Sequence, residues 1–478
     1  MRITLLLILL SFFSIVNAQN KIKPSKLIED FDFLIDELRL QHQGLYNYLD
    51  KEQTDLVIDS LRNTLNVSHT KLAFYEKLRF VIGLTNEGHT EVELPKWTMM
   101  KVGLSKSFFP LAVKFTQEGL VLTQNYGKTL DGLNKGMRLI SINDQRVDAI
   151  LERIYPLIPT DGFNETSKNE WVGDLNFSLL YKLVYGKNND FKIEVQEFGS
   201  DEILAFTVPA VRYTKFNSKN TKFKSNEFDY NSFSLEKVND SIVYLSVPSF
   251  GHDKVDYEKF YEMCFRKIDS LKTKHLILDI QANGGGSEGN ENLLFSYLTD
   301  DVIQKYKQVT MFPKSYLKRK NEESLIEDKW EMHDSIAKRG EFTLYSDYYS
   351  DLGYQKPEKD LVYKGELYVL ISGETFSGGA EFASLVKMIK RGIFIGEETG
   401  GAFEGNVSGY SVYVKLPHTK IEVDIPIVHF QVDVKPEKRG RGIMPDYYIP
   451  QSWENYLNGI NAKKEFAVKL ITERQTNQ

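Results

Sequence analysis

The sequence predicts a multidomain chain with a helical segment first, then a domain of short strands, then an alternating α/β core. Three observations predict this order. The 478 residues exceed one ordinary core, since domains hold about 100–200 residues. Apolar residues recur with helical spacing near the start, at Leu27, Phe31, Leu34 and Leu38. Later come short apolar runs bounded by glycine and charge, typical of buried parallel strands, at 275–280, 367–372 and 392–396.

Composition narrows the classes of function. The chain is 41% hydrophobic and 26% charged, as folded soluble proteins are. Its formal net charge of −6 argues against a general nucleic-acid binder, because no basic excess is available to neutralise phosphates. Cys264 is the only cysteine, which excludes an intramolecular disulfide framework and any cysteine-rich zinc module.

Residues 1–18 are predicted to be a signal peptide rather than part of the fold. An early arginine, an apolar run over 3–16 and the small residue Ala18 before Gln19 form the expected pattern. The run is too short to span a bilayer. We therefore expect an exported protein, periplasmic or extracellular, without stable membrane insertion.

Changes in pattern along the chain give the expected domain boundaries. Helical spacing predicts an N-terminal helical domain over 19–94. Short β-rich runs between turn residues predict a β domain over 95–214, and the polar stretch 215–231 is typical of a linker. The alternating α/β pattern covers 232–460, and 461–478 are expected to be a C-terminal tail.

Two glycine-rich turns that follow predicted core strands carry the chemical signal. Residues 283–286 read Asn-Gly-Gly-Gly, and successive glycines leave backbone N–H groups open to a ligand. Residues 376–379 read Phe-Ser-Gly-Gly, which can hold the Ser377 hydroxyl beside the next N–H groups, as in a nucleophile elbow. A phosphate-binding loop is the alternative, but neither turn has the lysine-serine/threonine ending of a P-loop, and the GxGxxG spacing of a dinucleotide-binding turn is missing.

The two turns in this order resemble those of the carboxy-terminal processing peptidases, or tail-specific proteases. Residues 276–286 resemble the strand ending in that family's "LDLRxNGGG" turn, and 375–382 resemble its nucleophile segment. Residues 396–401 are similar to its "GExTxG" turn, and 442–446 to its closing "GVxPD" segment. The resemblance implies an N-terminal helical segment, a PDZ-like β domain and a crotonase-like α/β serine protease core.

The β domain over 95–214 has a resemblance of its own to PDZ domains. Within 132–147 a glycine turn feeds a strand, and an "ING"-like turn precedes a helix, with Asp144 in place of the usual glycine. PDZ domains bind extended peptides by adding a strand to a sheet edge, so a docked polypeptide substrate is expected. A spacer domain without a ligand is the alternative.

The family resemblance also implies roles for single residues. Ser377 would be the nucleophile, and the N–H groups of Gly378 and Gly286 would form the oxyanion hole. Members with a Ser-Lys dyad carry lysine directly after the GExTxG turn, where this sequence has Ala402. A Ser-Lys mechanism on the family pattern is therefore excluded.

The lysine-lacking branch, similar to the tricorn protease core and the retinoid-binding-protein-like members, supplies a histidine from its N-terminal part. His89 matches that branch's "DGHT" segment, with Glu87 in place of the aspartate. An ordinary pKa near 6.5 suits histidine as a general base, although a glycine-flanked histidine can also be only a turn residue. The other histidines lack metal-ligand spacing, so neither a metal nor another cofactor is expected.

The group that would orient His89 is left open among three residues. Glu381 lies one helical turn after Ser377, but an acid there also stabilises a helix N-terminus. Glu437 precedes the closing segment, where some related members supply an acid, without clear register. Thr90 adjoins the base in sequence.

The function predicted from these residues is that of an exported serine endopeptidase cleaving unfolded or C-terminal peptide segments. The alternative is a non-catalytic ligand-binding or carrier protein on the same fold. A purely structural surface protein is a third class, but it would not need two glycine turns around an exposed serine. The charge-dense segment 300–360 is expected to be a helical excursion; whether it forms a lid, the substrate's identity and the oligomeric state are left open.

Overall fold

The computed structural model describes residues 21–216, 232–311 and 360–476, together with three further two-residue strands. The predicted signal peptide and most of the predicted linker lie outside the described residues. The described part has a mixed α/β fold of several packed units. None of its helices is both long and apolar enough to cross a membrane.

Helices form the N-terminal part, as the apolar spacing predicts. The predicted stripe is fully buried along one face of the first helix, at Leu27, Phe31, Leu34 and Leu38. The helices of this part are α1 (Pro24–Gln41), α2 (Lys51–Asn63), α3 (Lys71–Gly83) and α4 (Lys96–Leu104). Its strands are β1 (Lys21–Ile22), β2 (His69–Thr70) and β3 (Glu91–Glu93).

An antiparallel sheet follows. Its strands are β4 (Leu111–Thr116), β5 (Gly119–Asn125), β6 (Arg138–Ile142), β7 (Gln145–Arg146), β8 (Asp190–Gln196) and β9 (Ile203–Pro209). Between β7 and β8 the chain forms α5 (Val147–Ile154), α6 (Thr166–Trp171) and α7 (Asn176–Tyr185). The strand order is β4-β5-β6-β8-β9, with β7 paired to β6. Asn143 and Asp144 have φ of 49° and 61°, so Asp144 adopts here the left-handed conformation that favours glycine in two-residue hairpins.

The remaining elements form the core, a smaller sheet and two short two-stranded sheets. The strands are β10 (Ser234–Lys237), β11 (Ile242–Ser246), β12 (His275–Asp279), β13 (Ile303–Gln304), β14 (Tyr306–Met311), β15 (Glu331–Met332), β16 (Leu344–Tyr345), β17 (Tyr354–Gln355), β18 (Glu366–Ile371), β19 (Gly392–Gly396), β20 (Gly405–Lys415), β21 (Glu422–Val432) and β22 (Tyr447–Tyr448). The helices are α8 (Tyr257–Leu271), α9 (Glu288–Ser296), α10 (Gly378–Met388), α11 (Trp453–Leu457) and α12 (Ala462–Thr476).

The core sheet runs in the order β10-β11-β12-β18-β19-β22. All neighbours from β11 to β22 are parallel, and only β10 is antiparallel to its neighbour. The three apolar runs predicted as parallel strands are β12, β18 and β19, which lie side by side. Because the carboxyl ends of parallel strands meet at one edge, the loops after β12 and β18 are neighbours there.

Helices cover both faces of the core sheet. One face packs against α8, α9 and α10 through aromatic side chains that include Phe265, Phe295 and Phe382. The opposite face is covered by α12, whose Ala467 and Ile471 are fully buried one helical turn apart. Residues 461–478, expected to be a tail, therefore form a packed helix over most of their length.

A smaller sheet joins the N-terminal part to the core. Its strand order is β14-β21-β20, and β3 pairs with β21. The expected helical excursion over 300–360 is wrong where the chain is described, because β13 and β14 are strands and β14 pairs with the long β21. Most of that segment, and with it the question of a lid, lies outside the described residues.

Candidate active site

The two glycine turns pack against each other at the carboxyl edge of the core sheet. The N–H of Phe376 donates a hydrogen bond to the carbonyl of Asn283 at 3.0 Å. The hydroxyl of Thr375 donates to the carbonyl of Ile280, also at 3.0 Å. The turn after β18 is thus fixed on the turn after β12.

Ser377 lies in this turn with an unusual backbone. It caps α10 with φ 52° and ψ −129°, a conformation that L residues rarely adopt. The neighbouring backbones approach closely enough to require glycine. A Cβ on Gly285 would lie 2.7 Å from the Cβ of Ser377, and one on Gly401 would lie 2.4 Å from the Cβ of Ala380. The crowded turn holds the serine at the start of the helix.

His89 reaches this serine from the loop between α3 and β3. Its Nε2 lies 3.0 Å from Ser377 Oγ, although 288 positions separate the two residues in sequence. The imidazole stacks on the ring of Phe376, with centroids 4.7 Å apart and planes 28° apart. If the hydroxyl donates to Nε2, the ring hydrogen is on Nδ1, which is buried and has no partner in the described part of the chain. The structure thus brings together the residue pair singled out from the sequence.

Burial decides the charge of this imidazole. It lowers the pKa of His89 to about 4, and the negative charge of Glu381 offsets only part of that effect. The ring is therefore neutral at neutral pH. A neutral imidazole is the form that can accept the serine proton.

The three residues considered for orienting His89 all have other surroundings. The hydroxyl of Thr90 lies 2.7 Å from Nε2 of His42. Glu437 is exposed to solvent. Glu381 is buried on α10, but its hydrogen bonds go to other groups. No hydrogen bond in the described structure joins any of the three to the imidazole of His89.

Glu381 belongs to a buried ionic cluster. Its carboxyl lies 2.6 Å from Lys305 Nζ and accepts hydrogen bonds from Tyr306 at 2.6 Å and Asn406 at 2.9 Å. Burial alone would raise the pKa of Glu381, but the charge of Lys305 and these hydrogen bonds lower it below its ordinary value. Lys305 also pairs with Glu291, and both are fully buried. This carboxylate is thus ionised and supplies negative charge near the imidazole without contacting it.

Two backbone N–H groups beside the serine are open. Within the described structure, the N–H groups of Gly378 and Gly286 donate to no protein oxygen. The N–H of Gly285, in contrast, donates to Oδ1 of Asn283 at 2.9 Å. Gly378 directly follows Ser377 at the positive end of α10, where an oxyanion is stabilised. Gly285 is the glycine that packs directly against Ser377, and Gly286 follows it in the chain.

Three acids lie in or beside the loop that carries His89, and no sequence pattern marks them as a group. Asp161 and Glu87 are fully buried, and Glu404 is partly buried. Asp161 accepts a hydrogen bond from the N–H of Gly88 at 2.8 Å. Glu87 accepts from the N–H of Val407 at 3.1 Å. Glu404, directly before β20, accepts a hydrogen bond from the N–H of Gly440.

Burial raises the pKa of all three acids. The value for Asp161 rises to about 7, although the backbone N–H groups of Gly88 and Ala402 lower it in part. The pKa values of Glu87 and Glu404 rise for the same reason, and the charge of Asp161 adds to the effect on Glu87. No motif marks Asp161, because its partner is a backbone group far away in sequence.

An apolar cavity of about 240 Å³ opens next to the loop of the histidine. Gly88 and Thr90, the two neighbours of His89, line it, together with apolar side chains such as Leu157 and Leu180. Ser377 and His89 are not among the residues that line it.

A second cavity, of about 310 Å³, adjoins the glycine turns. It is lined by Gly284 of the first glycine turn and by Phe376, which directly precedes Ser377. Trp171 and Asn176 line both cavities, so the two lie on neighbouring parts of the surface.

Other candidate chemistries find no matching groups in the described residues. No cluster of three or more His, Cys, Asp or Glu side chains there could hold a metal ion. No lysine forms a hydrogen bond with Ser377 in that part of the chain, and Ala402 is buried after the turn at 396–401. The arrangement is that of a serine hydroxyl facing a neutral imidazole beside open N–H groups.

Comparison with known proteins gives a family for the core. Residues 241–449 match the model of peptidase family S41. The search of curated proteins found no matching relative.

Solved structures of similar fold cover nearly the whole chain. Mature CPAF complexed with lactacystin has a TM-score of 0.65 at 15% identity, with 95% of this chain and 99% of that chain covered. Mature CPAF alone has a TM-score of 0.63 at 15% identity, with coverage of 94% and 96%. At such identity these structures show a common fold.

Proposed function

We propose that this protein, whose residues 241–449 belong to peptidase family S41, is a serine endopeptidase with Ser377 as nucleophile and His89 as general base. The family makes the chain a serine-type peptidase of the C-terminal processing group. The observation that carries the residue assignment is the 3.0 Å separation between His89 Nε2 and Ser377 Oγ, which is hydrogen-bond reach for a nucleophile and its base.

The reaction proceeds through an acyl-enzyme. Ser377 Oγ attacks the peptide carbonyl carbon while its proton passes to His89 Nε2. The C–N bond then breaks as His89 returns that proton to the leaving amine, and the acyl group remains on Ser377 as an ester. Water attacks the ester, His89 takes the proton from the water and returns it to Ser377, and the new carboxyl end leaves.

The negative oxygen of each tetrahedral intermediate is assigned to the N–H groups of Gly378 and Gly286. Both donors are unused in the described structure, which supports this role. The N-terminus of α10 adds the positive end of the helix dipole.

The substrate is proposed to be an unfolded or C-terminal polypeptide segment. The two neighbouring cavities have partly apolar walls, which supports binding of peptide side chains there. The antiparallel sheet of β4 to β9 is proposed to be a PDZ-like domain that docks the chain by strand addition at one of its edges.

Export is part of the proposal and rests on the pattern of residues 1–18. Removal of that segment would leave a mature chain that begins at Gln19, in the periplasm or outside the cell. Cys264 is buried in α8, so no disulfide is involved.

The test is hydrolysis of an unfolded protein by the mature chain and its variants. Cleavage by the parent that is lost in both Ser377→Ala and His89→Ala is expected. Matched controls are Ser270→Ala, an exposed serine on α8, and His69→Ala, a histidine in β2, and both are expected to retain the activity.

The pattern of losses separates the assignments. Activity that survives in His89→Ala but not in Ser377→Ala would contradict the choice of base. Equal activity in all variants would contradict both assignments. A parent that binds peptide without cleaving it would favour the carrier alternative.

A further inference from the structure

We propose that Asp161 is a positioning residue that fixes the general base relative to the nucleophile. The inference rests on the proposed function, because it gives Asp161 a part in the reaction of Ser377 and His89. Asp161 acts through the backbone of the loop that carries His89, not through the imidazole ring.

On the side of the base, two hydrogen bonds hold the loop. The N–H of Gly88, the residue before His89, donates to Oδ1 of Asp161 at 2.8 Å. The N–H of Gly162 donates to the carbonyl of Asn86 at 2.8 Å. Asp161 and Gly162 thus hold the loop by hydrogen bonds to the residues on both sides of Glu87, immediately before His89.

On the side of the nucleophile, the same carboxyl faces the turn after β19. The backbone N–H of Ala402 stabilises the ionised form of Asp161. This turn is bonded to the segment just before Ser377, because the N–H groups of Gly400 and Gly401 donate to the carbonyl of Thr375 at 2.9 and 3.2 Å. Asp161 is therefore bonded to the loop that carries His89, and the turn whose N–H influences its carboxyl is bonded to the segment before Ser377.

The residues after Asp161 extend this connection. Asn164 donates through Nδ2 to the carbonyl of Thr399 at 2.7 Å. The hydroxyl of Thr166 donates to the carbonyl of Glu398 at 2.9 Å. The segment 161–166 therefore links the loop that carries His89 to the turn at 396–401.

A structural role alone does not explain a carboxyl at this position. Asp161 is fully buried, and its Oδ2 has no hydrogen-bond partner in the described structure. The charged side chains that influence it include the acids Glu381 and Glu404, which raise its pKa further, and its charge in turn raises the pKa of Glu87. Burial among acids makes a carboxyl costly for the fold, and an amide there would present a donating NH₂ group in place of one of the two acceptor oxygens. We infer that a carboxyl is kept at this position, despite its cost to stability, because it sets the geometry and electrostatics of Ser377 and His89.

The test compares Asp161→Asn with a matched buried aspartate. Asp30 is also fully buried, and its carboxyl accepts bonds at 2.7 Å from the backbone N–H groups of His418 and Thr419, so it joins distant segments outside the site. Both variants are measured for kcat and KM on one peptide and for melting temperature. The ring ¹⁵N resonances of His89 are recorded by NMR and assigned with His89→Gln.

The expected result separates positioning from stability. Asp161→Asn should lower kcat by about 100-fold with little change in KM, as small misplacements of catalytic groups do, and should shift the His89 resonances. Asp30→Asn should lower the melting temperature and leave kcat and the resonances unchanged. Parent-like kcat and resonances in Asp161→Asn would overturn the inference, as would equal effects of the two variants.

Two further results decide the role of Asp161 if the parent shows no hydrolysis or the variant does not fold. If the parent shows no Ser377-dependent hydrolysis, the proposed function fails, and the His89 resonances of Asp161→Asn still decide the positioning role. If Asp161→Asn does not fold, hydrogen exchange in the parent decides it. The Gly88 amide is expected to be protected, and exchange as fast as in an open loop would overturn the inference.

Discussion

The imidazole of His89 faces the Ser377 hydroxyl at a buried site where the ring stays uncharged. An exposed imidazole would be partly protonated near neutral pH and could not take the proton in that form. Burial removes this competition but also makes His89 a weaker base. The nearby carboxylate of Glu381 offsets part of the loss, because it favours the protonated ring that forms during the reaction.

The pH dependence of the reaction follows from this burial. Since the pKa of His89 is lowered to about 4, the base remains neutral well below pH 6.5. We expect kcat/KM to keep its plateau through pH 6 and to fall only as the pH approaches 4. The measurement is kcat/KM on a short peptide between pH 4 and 8, with circular dichroism at each pH as a control for unfolding. An acid limb near 6.5 in folded enzyme would contradict the assignment.

The sequence could indicate single residues only where a motif surrounds them. Ser377 and His89 stand in glycine-flanked patterns that resemble a family, and the structure brings them within 3.0 Å. Asp161 has no such pattern, because what it binds is the backbone N–H of Gly88. Glu381 was considered for orienting His89, but only the tertiary fold reveals that its direct contact is with Lys305 and that it influences the imidazole through its charge.

At the scale of elements, the junction between β18 and α10 concentrates backbone strain at Ser377. Ser377 has φ 52°, whereas helices and strands have negative φ. Strain at one such residue costs on the order of 1–3 kcal/mol. The hydrogen bonds that join the two glycine turns supply the surrounding restraint.

This strain predicts an order of stability among inactive variants. Ser377→Gly should be more stable than Ser377→Ala by about 1 kcal/mol in urea unfolding, because glycine adopts positive φ without strain. Ser270 on α8 is the control, and there glycine should be the less stable substitution, as it is within helices. Greater stability of Ser377→Ala would show that the turn is unstrained.

Elements were predictable where local pattern dominates. The apolar runs predicted as parallel strands are β12, β18 and β19, because strands buried on both faces need continuous apolar residues. The prediction fails for β14, because the charge density of the whole segment 300–360 masked a short strand with one charged residue that pairs with β21. It also fails for α12, whose few apolar residues are enough to cover the sheet.

At the scale of the whole molecule, an acid pair lies between the antiparallel sheet unit and the core. Glu374 precedes the nucleophile turn in the core, and Glu170 lies on α6, with Lys114 of β4 3.5 Å from Glu170. Part of the Glu374 side chain is exposed, but desolvation at this junction raises the pKa of its carboxyl to about 7, and the charge of Glu170 adds to the rise. Below about pH 7 the folded protein therefore keeps a proton at this junction.

This proton predicts a loss of stability as the pH rises. Between 4.5, the ordinary pKa, and about 7 the folded state keeps a proton that the unfolded state releases, so the free energy of unfolding falls over that range. Glu374→Gln cannot release the proton, so its melting temperature should exceed the parent's at pH 8 and match it near pH 4.5. Glu465→Gln, an exposed residue on α12, is the control and should show no such difference. An equal shift at both pH values would contradict the prediction.

The succession of helices, short strands and alternating α/β elements could be anticipated from periodicity, but the joints between them could not. Val92 of β3 pairs with Val423 of β21, more than three hundred positions away, and no local pattern encodes that pairing. Yet this strand directly follows the loop of His89. The long-range pairing therefore decides where the base lies.

The most direct test of the central claim is covalent labelling of the mature parent with a serine-directed phosphonate, followed by intact mass and peptide mapping. We expect one adduct per chain, located on Ser377, absent from Ser377→Ala and formed far more slowly in His89→Ala. A folded parent that stays unlabelled, or an adduct on another serine that persists in Ser377→Ala, would contradict the claim that His89 activates Ser377.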